Sequence, residues 1–279
     1  VARRRRKLAA AKVLGGQIHA LADLAFPGLT DCFTTGLEAK ALRMLLVSAA
    51  DPAKVAGMSA DDLVAHAVAH QVRMLRPKAR QVIAAAKETI CVPETQRLAA
   101  QQLLAEDMAS FDVLRVAIAA GDAELAQLLP QTPAGVLMSV PGIGVATASH
   151  YGAALGDPTR FANADAAYRY SGLTPTSYES AGRKATSQRI SKVGSVELRQ
   201  AIITMGVMLS LRHPDFTAHK RRLLDSGKRP IVAAIAVGHR AHRLAFALMR
   251  TQQPYNPDRW RQGQQGGRLA TTTEAIRTT

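Results

Sequence analysis

The chain has 279 residues, 47% of them hydrophobic and 4% aromatic, and carries a net charge of +15. That length suffices for two modest domains, and Ala and Leu in periodic runs without sustained Val/Ile/Thr alternation predict a mostly α protein. No stretch approaches the roughly 20 uncharged apolar residues of a membrane span, and the start, Val-Ala-Arg-Arg-Arg-Arg-Lys, lacks the apolar core of a signal peptide, so a cytoplasmic protein without a membrane partner is expected.

In chain order, residues 3–25 read as a helix that opens on a basic cluster and stops at Phe26-Pro27-Gly28. The run Arg3 to Lys7 suits either a solvated terminus or a nucleic-acid contact. Cys32 and Cys91 lie far apart without a Cys-x-x-Cys partner, which supports neither a disulfide framework nor a zinc knuckle and leaves two ordinary buried thiols. Asp61 to Leu75 reads as a second helix, interrupted at Pro77. His66 and His70 within it have the i,i+4 spacing of a metal pair but lack the accompanying Glu, so they are assigned to a helix face and no metal site is expected. From Pro93, apolar Leu104, Met108, Phe111, Leu114 and Ile118 recur every three or four residues, as in a coiled-coil arm or an intramolecular hairpin. Gly121-Asp122 marks a turn and Pro130 to Pro133 a domain boundary.

Beyond that boundary, short helices joined by glycine-bearing turns are expected. One helix runs from Val196 to Leu211, with Ser195 as N-cap and Glu197 in its first turn, and ends at His213-Pro214. The last runs from Ile231 to Met249. From about residue 256 the Gln/Gly/Thr-rich sequence predicts disorder. The organisation expected is therefore a helical connector over 1–130, a second domain over 131–252 and a tail over 253–279.

The charge is unevenly placed. Residues 8–130 hold 11 Lys and Arg against 13 Asp and Glu, whereas residues 180–250 hold 14 against 3. A basic excess confined to one segment is the footprint of a polyphosphate-binding face.

Two motifs add chemistry. Val140-Pro-Gly-Ile-Gly144 resembles a helix-hairpin-helix turn, in which Gly142, Ile143 and Gly144 would aim backbone N–H groups at a DNA phosphate, or else a tight connection between packed helices. Ser180 lies in Tyr178-Glu-Ser-Ala-Gly-Arg-Lys184, beside glycine and among cations. A serine hydroxyl attacks a phosphodiester only when it is activated and positive charge stabilises the oxyanion. Arg183, Lys184, Arg189 and Lys192 would supply the charge; no base or metal is evident. His239 and His242, within Gly-His-Arg-Ala-His-Arg243, read as phosphate-facing rather than metal-binding.

The order Val-Pro-Gly-Ile-Gly, Gly156-Asp157 with Arg160-Phe161, Tyr170-Ser-Gly-Leu-Thr-Pro175, Ser180-Ala-Gly-Arg-Lys, Ile190-Ser-Lys-Val-Gly194 and Leu198-Arg199 resembles the C-terminal domain of a bacterial insertion-sequence transposase family. That family includes the Piv DNA invertase and the bridge-RNA-guided recombinases. The ordered resemblance covers Leu137 to Arg250; Arg3 to Pro27 is similar to the family's helix after its first domain, and residues 35–130 to its helical connector. Members join a RuvC-like domain, whose Asp-Glu-Asp-Asp set binds magnesium, to a domain whose serine bonds covalently to DNA. The resemblance implies Ser180 as that nucleophile and DNA as partner, with Arg199 among the binding residues, a guide RNA in some members, and self-association through the connector. Here Ala181 stands between the serine and Gly182, where many members have Gly directly. The RuvC-like part has no counterpart in the chain, so a truncated transposase or recombinase without its magnesium site is expected. The alternatives are a non-catalytic nucleic-acid-binding helical module or a relic.

Overall fold

The computed structural model describes residues 1–90, 92–175, 179–180, 183–184 and 189–262, the four residues of the middle pairs by their backbone alone. Cys91 lies outside the described residues. The chain divides into two units, residues 2–121 and residues 122 onward.

The first unit is all helical. Helix α1 (Ala2–Ala25) stops where expected, before Pro27 and before Gly28 at φ +80°, a left-handed value that favours glycine. Helices α2 (Lys40–Ser48) and α3 (Pro52–Ala56) follow, the second opened by Asp51, whose carboxylate accepts from the Ala53 N–H. The predicted helix over Asp61–Leu75 is shorter than expected, and a second helix follows it. Helix α4 (Ala60–Ala69) starts on a reciprocal Ser59–Asp62 capping box and ends where Gln71 turns left-handed. Helix α5 (Arg76–Glu88) then begins with Pro77 in its first turn, where a missing N–H costs nothing. The proline therefore starts a helix rather than interrupting one.

Helix α6 (Glu94–Leu128) also departs from expectation, running straight through Gly121-Asp122. A single glycine weakens a helix by only about 1 kcal/mol and stops it only when the following residues also leave helical geometry. The core gathers Ile18, Phe26, Leu29, Leu42, Leu45, Leu63, Leu104 and Met108, all fully or almost fully buried. Cys32 is buried, and burial pushes its thiol pKa up. His66 accepts or donates at 2.8 Å with the Ser48 hydroxyl, and His70 bonds the His66 carbonyl, so both serve the helix face.

In the second unit, 3₁₀ turns at Leu129–Gln131 and Pro133–Ser139 lead to α7 (Val145–Leu155) and α8 (Ala164–Tyr170). A two-residue antiparallel pair, β1 (Glu179–Ser180) and β2 (Arg183–Lys184), precedes α9 (Val196–Arg212), α10 (Pro214–Asp225) and α11 (Pro230–Thr251). The protein is mostly α, as the composition predicts. Ser195 caps α9 through the Leu198 N–H at 3.1 Å, with Glu197 in the first turn. The two longest helices of the unit, α9 and α11, cross where Gly206 meets Gly238; a methyl on Gly206 would lie 2.7 Å from the Gly238 Cα. Around this crossing Tyr151, Leu198, Ile202, Met205, Leu209, Ala241 and Ala245 form the core.

Helix α11 is long and apolar enough to cross a membrane by length and composition, contrary to the reading of the sequence alone. Half of that window is buried inside the fold, as in a core helix, so no membrane is indicated. Helix α10 was not anticipated: His213 caps it, Pro214 sits in its first turn, and Phe216 anchors it in the core. Residues 256–262, expected to be disordered, pack on it. Trp260 stacks on Phe216 with ring centroids 6.4 Å apart, Arg261 pairs with Asp215 at 3.2 Å, and the Tyr255 hydroxyl lies 3.0 Å from His213 Nε2. Two aromatic rings in an otherwise polar segment were enough to anchor it. Residues 263–279 lie outside the described residues.

Candidate nucleic-acid interface

The serine motif is carried on a zipped stem. Its two sides, Tyr170–Pro175 and Ile190–Ser195, exchange backbone hydrogen bonds from Ser191 N–H to Thr174 O (2.9 Å), Lys192 N–H to Gly172 O (3.0 Å) and Ser195 N–H to Tyr170 O (2.8 Å), and Pro175 bridges Ile190. The close approach requires glycine twice. Gly172 (φ +69°) faces the Val193 backbone, and Gly194 (φ +123°) faces the Tyr170 carbonyl, where a side chain would collide. Arg199 ties the stem to α9 by donating from Nη1 to Ser171 O at 3.0 Å. Its guanidinium is thus partly committed to holding the loop's base.

At the loop's tip, Ser180 pairs in register with Arg183, and Glu179 with Lys184. The side chains of Ser180, Arg183 and Lys184 lie outside the described residues. Arg189 and Lys192 are exposed on the returning side, Lys192 in the left-handed region at φ +56°.

The second motif is a turn between a 3₁₀ segment and a helix, so its first arm is not the α-helix of a regular helix-hairpin-helix. Gly142 is left-handed (φ +94°), Ile143 is buried in the core, and exposed Gly144 begins α7 without a side-chain cap. Ile143 therefore anchors the turn, while Gly144 and the first N–H groups of α7 are the part able to meet an anion. A methyl on Gly142 would lie 2.9 Å from the Arg212 Cβ, which places an exposed arginine beside the turn. Sequence reading missed Arg212, because a separation of seventy positions from Gly142 hides the contact.

These residues form two patches rather than one. The stem braces on Arg199 near the start of α9, and the turn packs on Leu209 and Arg212 at its end. Thirteen helical positions separate Arg199 from Arg212, about 20 Å along the axis and about 140° around it.

The two C-terminal histidines have different surroundings. His242 is buried, and its reading as phosphate-facing is corrected: Nε2 donates to Ala164 O at 2.8 Å, so Nδ1 accepts from the Tyr151 hydroxyl at 2.9 Å. Burial lowers its pKa to about 4 and raises that of Tyr151, keeping both neutral. His239 is partly exposed. Its Nε2 lies 3.5 Å from Asp165 Oδ1 and its ring 4.3 Å from that of Tyr168. Other motif residues are structural: Asp157 accepts from the Thr159 N–H at 2.8 Å, and Arg160 stacks over Phe161 and Tyr170. Among the described residues, no group of three or more His, Cys, Asp or Glu side chains is placed to hold a metal ion.

The stem, the turn, α9 and the start of α10 coincide with a segment shared with known proteins. Residues 134–221 match the transposase IS116/IS110/IS902 family. The chain is 30% identical over 141 residues to the pilin gene-inverting protein of Moraxella bovis, covering 48% of this chain and 44% of that one. The pilin gene-inverting protein of Moraxella lacunata is 29% identical over the same length and shares. The insertion element IS110 43.6 kDa protein of Streptomyces coelicolor is 27% identical over 189 residues, 64% of this chain and 46% of that one. The chain thus spans less than half the length of these relatives.

Proposed function

We propose that this chain serves DNA transposition or site-specific inversion, with Ser180 as the nucleophile that joins protein to DNA. The observation that carries the reading is the zipped stem: the segment shared with transposases is built so that glycine contacts and Arg199 hold both ends of the serine loop together. The names of the similar proteins, a pilin gene-inverting protein and an insertion-element protein, support the DNA-rearrangement part of this reading.

In the reaction, the Ser180 Oγ–P bond forms as the P–O bond to one deoxyribose breaks; the serine hydroxyl gives up its proton and the released sugar oxygen takes one up, so no net proton is gained or lost. The serine ester retains the phosphoryl bond, so attack by a second strand's hydroxyl restores a phosphodiester and frees Ser180 without a nucleotide cofactor. Arg183, Lys184, Arg189 and Lys192 supply positive charge for the phosphoryl oxygens. The N-terminus of α7 with Arg212 holds a backbone phosphate away from the reacting one, positioning the duplex without reading its sequence.

The test is a denaturing gel with the protein expressed from its whole reading frame and labelled DNA of its own element's ends. A covalent protein–DNA species is expected, absent in Ser180→Ala while duplex binding persists. An adduct at full yield in Ser180→Ala would overturn the nucleophile. If the variant instead leaves every DNA-dependent property unchanged and the parent forms no adduct, the chain is a non-catalytic binding module.

A further inference from the structure

A cavity of about 600 Å³ opens at the foot of the serine loop, between α8, the start of α11 and both sides of the stem. Leu173, Ile190, Val232 and Ile235 give it apolar walls, and Tyr168 adds an aromatic one. Asp165, Arg169, His239 and the Tyr168 phenol are the charged or titratable groups lining it. Val232 is exposed although it is a large aliphatic residue, and Arg169 is exposed as well. Nothing in the serine chemistry uses this cavity.

We propose that the cavity receives one unpaired nucleotide of the DNA strand engaged by the serine loop. This deepens the DNA reading above and rests on it. Three features select that occupant. The volume lies within the range of pockets that enclose small ligands, and apolar walls beside an aromatic ring suit the faces of a nucleobase. The Asp165 carboxylate, near the rim, accepts a hydrogen bond from an exocyclic amine such as that of cytosine, while exposed Arg169 is placed for a phosphate. Position supplies the third feature. Pro175 and Ile190, the bridged pair that closes the stem, both line the cavity, so a strand lying along the loop passes its mouth. A base stacked within a duplex cannot present its faces to such walls, so the occupant is a base already out of its stack.

The experiment uses this 279-residue chain and a short single strand carrying one 5-iodocytosine, photocrosslinked and mapped by peptide mass spectrometry beside the same sequence as a duplex. The expected adducts fall on peptides holding Tyr168 or His239 and are far weaker with the duplex. Val232→Asp, a change at an exposed helical position, should lower single-strand affinity about fivefold or more, the least that loss of one stacked base implies. Its duplex affinity should change little, and an unaltered helical circular dichroism spectrum checks that the variant folds. Adducts confined to other peptides, or a single-strand affinity indifferent to Val232→Asp, overturn the cavity's role alone if duplex binding is present. Absence of binding to either form at low salt overturns this inference and the DNA reading together.

Discussion

Replacing His242 by Gln tests the buried network at the centre of the second unit. In the folded protein this imidazole donates from Nε2 to Ala164 O and accepts at Nδ1 from the Tyr151 hydroxyl, so protonation must break the Tyr151 bond and place a charge in the core. Its pKa is accordingly lowered from 6.5 to about 4 by burial. Between those values the unfolded chain binds a proton that the folded chain refuses, so stability is complete above about pH 7 and is lost as pH falls through the window. At 1.36 kcal/mol per pH unit, the full interval is worth about 3 kcal/mol. Urea unfolding should be followed by fluorescence, since the single tryptophan, Trp260, stacks on Phe216 and reports this unit. Wild type should lose roughly 3 kcal/mol more than His242→Gln between pH 7 and pH 4. His213, whose pKa burial also lowers, contributes equally to both proteins and cancels in the difference. Equal pH slopes would refute the reasoning. Should the Gln variant not fold, Tyr151→Phe provides the second arm: it keeps the titration but costs about 1–3 kcal/mol at pH 8 by leaving Nδ1 unpaired.

Other substitutions probe the scaffold and the interface. Gly194→Ala forces a side chain into the Tyr170 carbonyl at φ +123°, and should cost about 3 kcal/mol and abolish hydrogen-exchange protection at the Ser195 and Lys192 amides; retained protection would show that the stem tolerates the residue. Gly206→Val should prevent the close crossing of α9 and α11 and destabilise the second unit by more than about 3 kcal/mol, read from the same tryptophan signal, whereas an unchanged midpoint would mean the helices part easily. Duplex affinity should fall with salt, and Arg212→Ala and Lys192→Ala should each reduce the log–log slope by about 0.9; slopes identical to wild type would remove both residues from the interface.

Much of the fold was legible because the signals were local. The end of α1 at Phe26-Pro27-Gly28 and the Ser195 cap of α9 each depend on residues within one turn of the chain. The errors arose where one local signal admits two outcomes. A proline ends one helix or opens another, and at Pro77 the left-handed Gln71 decided for opening. The first residues of the tail, up to 262, differ from expectation for a related reason: composition averages over a window, while Tyr255 and Trp260 act singly. Contacts between distant positions left no trace in one sequence. Tyr151 and His242 are 91 positions apart, and neither residue type announces a buried pair. Arg212 beside Gly142 and His239 beside Asp165 were hidden in the same way.

The glycines of the family-like motif explain why its order was recognisable when its chemistry was not. Gly142, Gly172 and Gly194 each adopt positive φ at a place where backbone or a neighbouring side chain approaches closely, so their spacing encodes a scaffold. Ser180 lies beyond the hydrogen bonds that zip the stem, which join Tyr170–Pro175 to Ile190–Ser195. Stability and chemistry should therefore separate. Gly194→Ala should lose the covalent adduct together with amide protection in the stem, while Ser180→Ala should lose the adduct with the stem intact. Loss of stem protection in Ser180→Ala would mean that the serine helps to build the loop, and its assignment as a nucleophile would then lack support from the adduct assay alone.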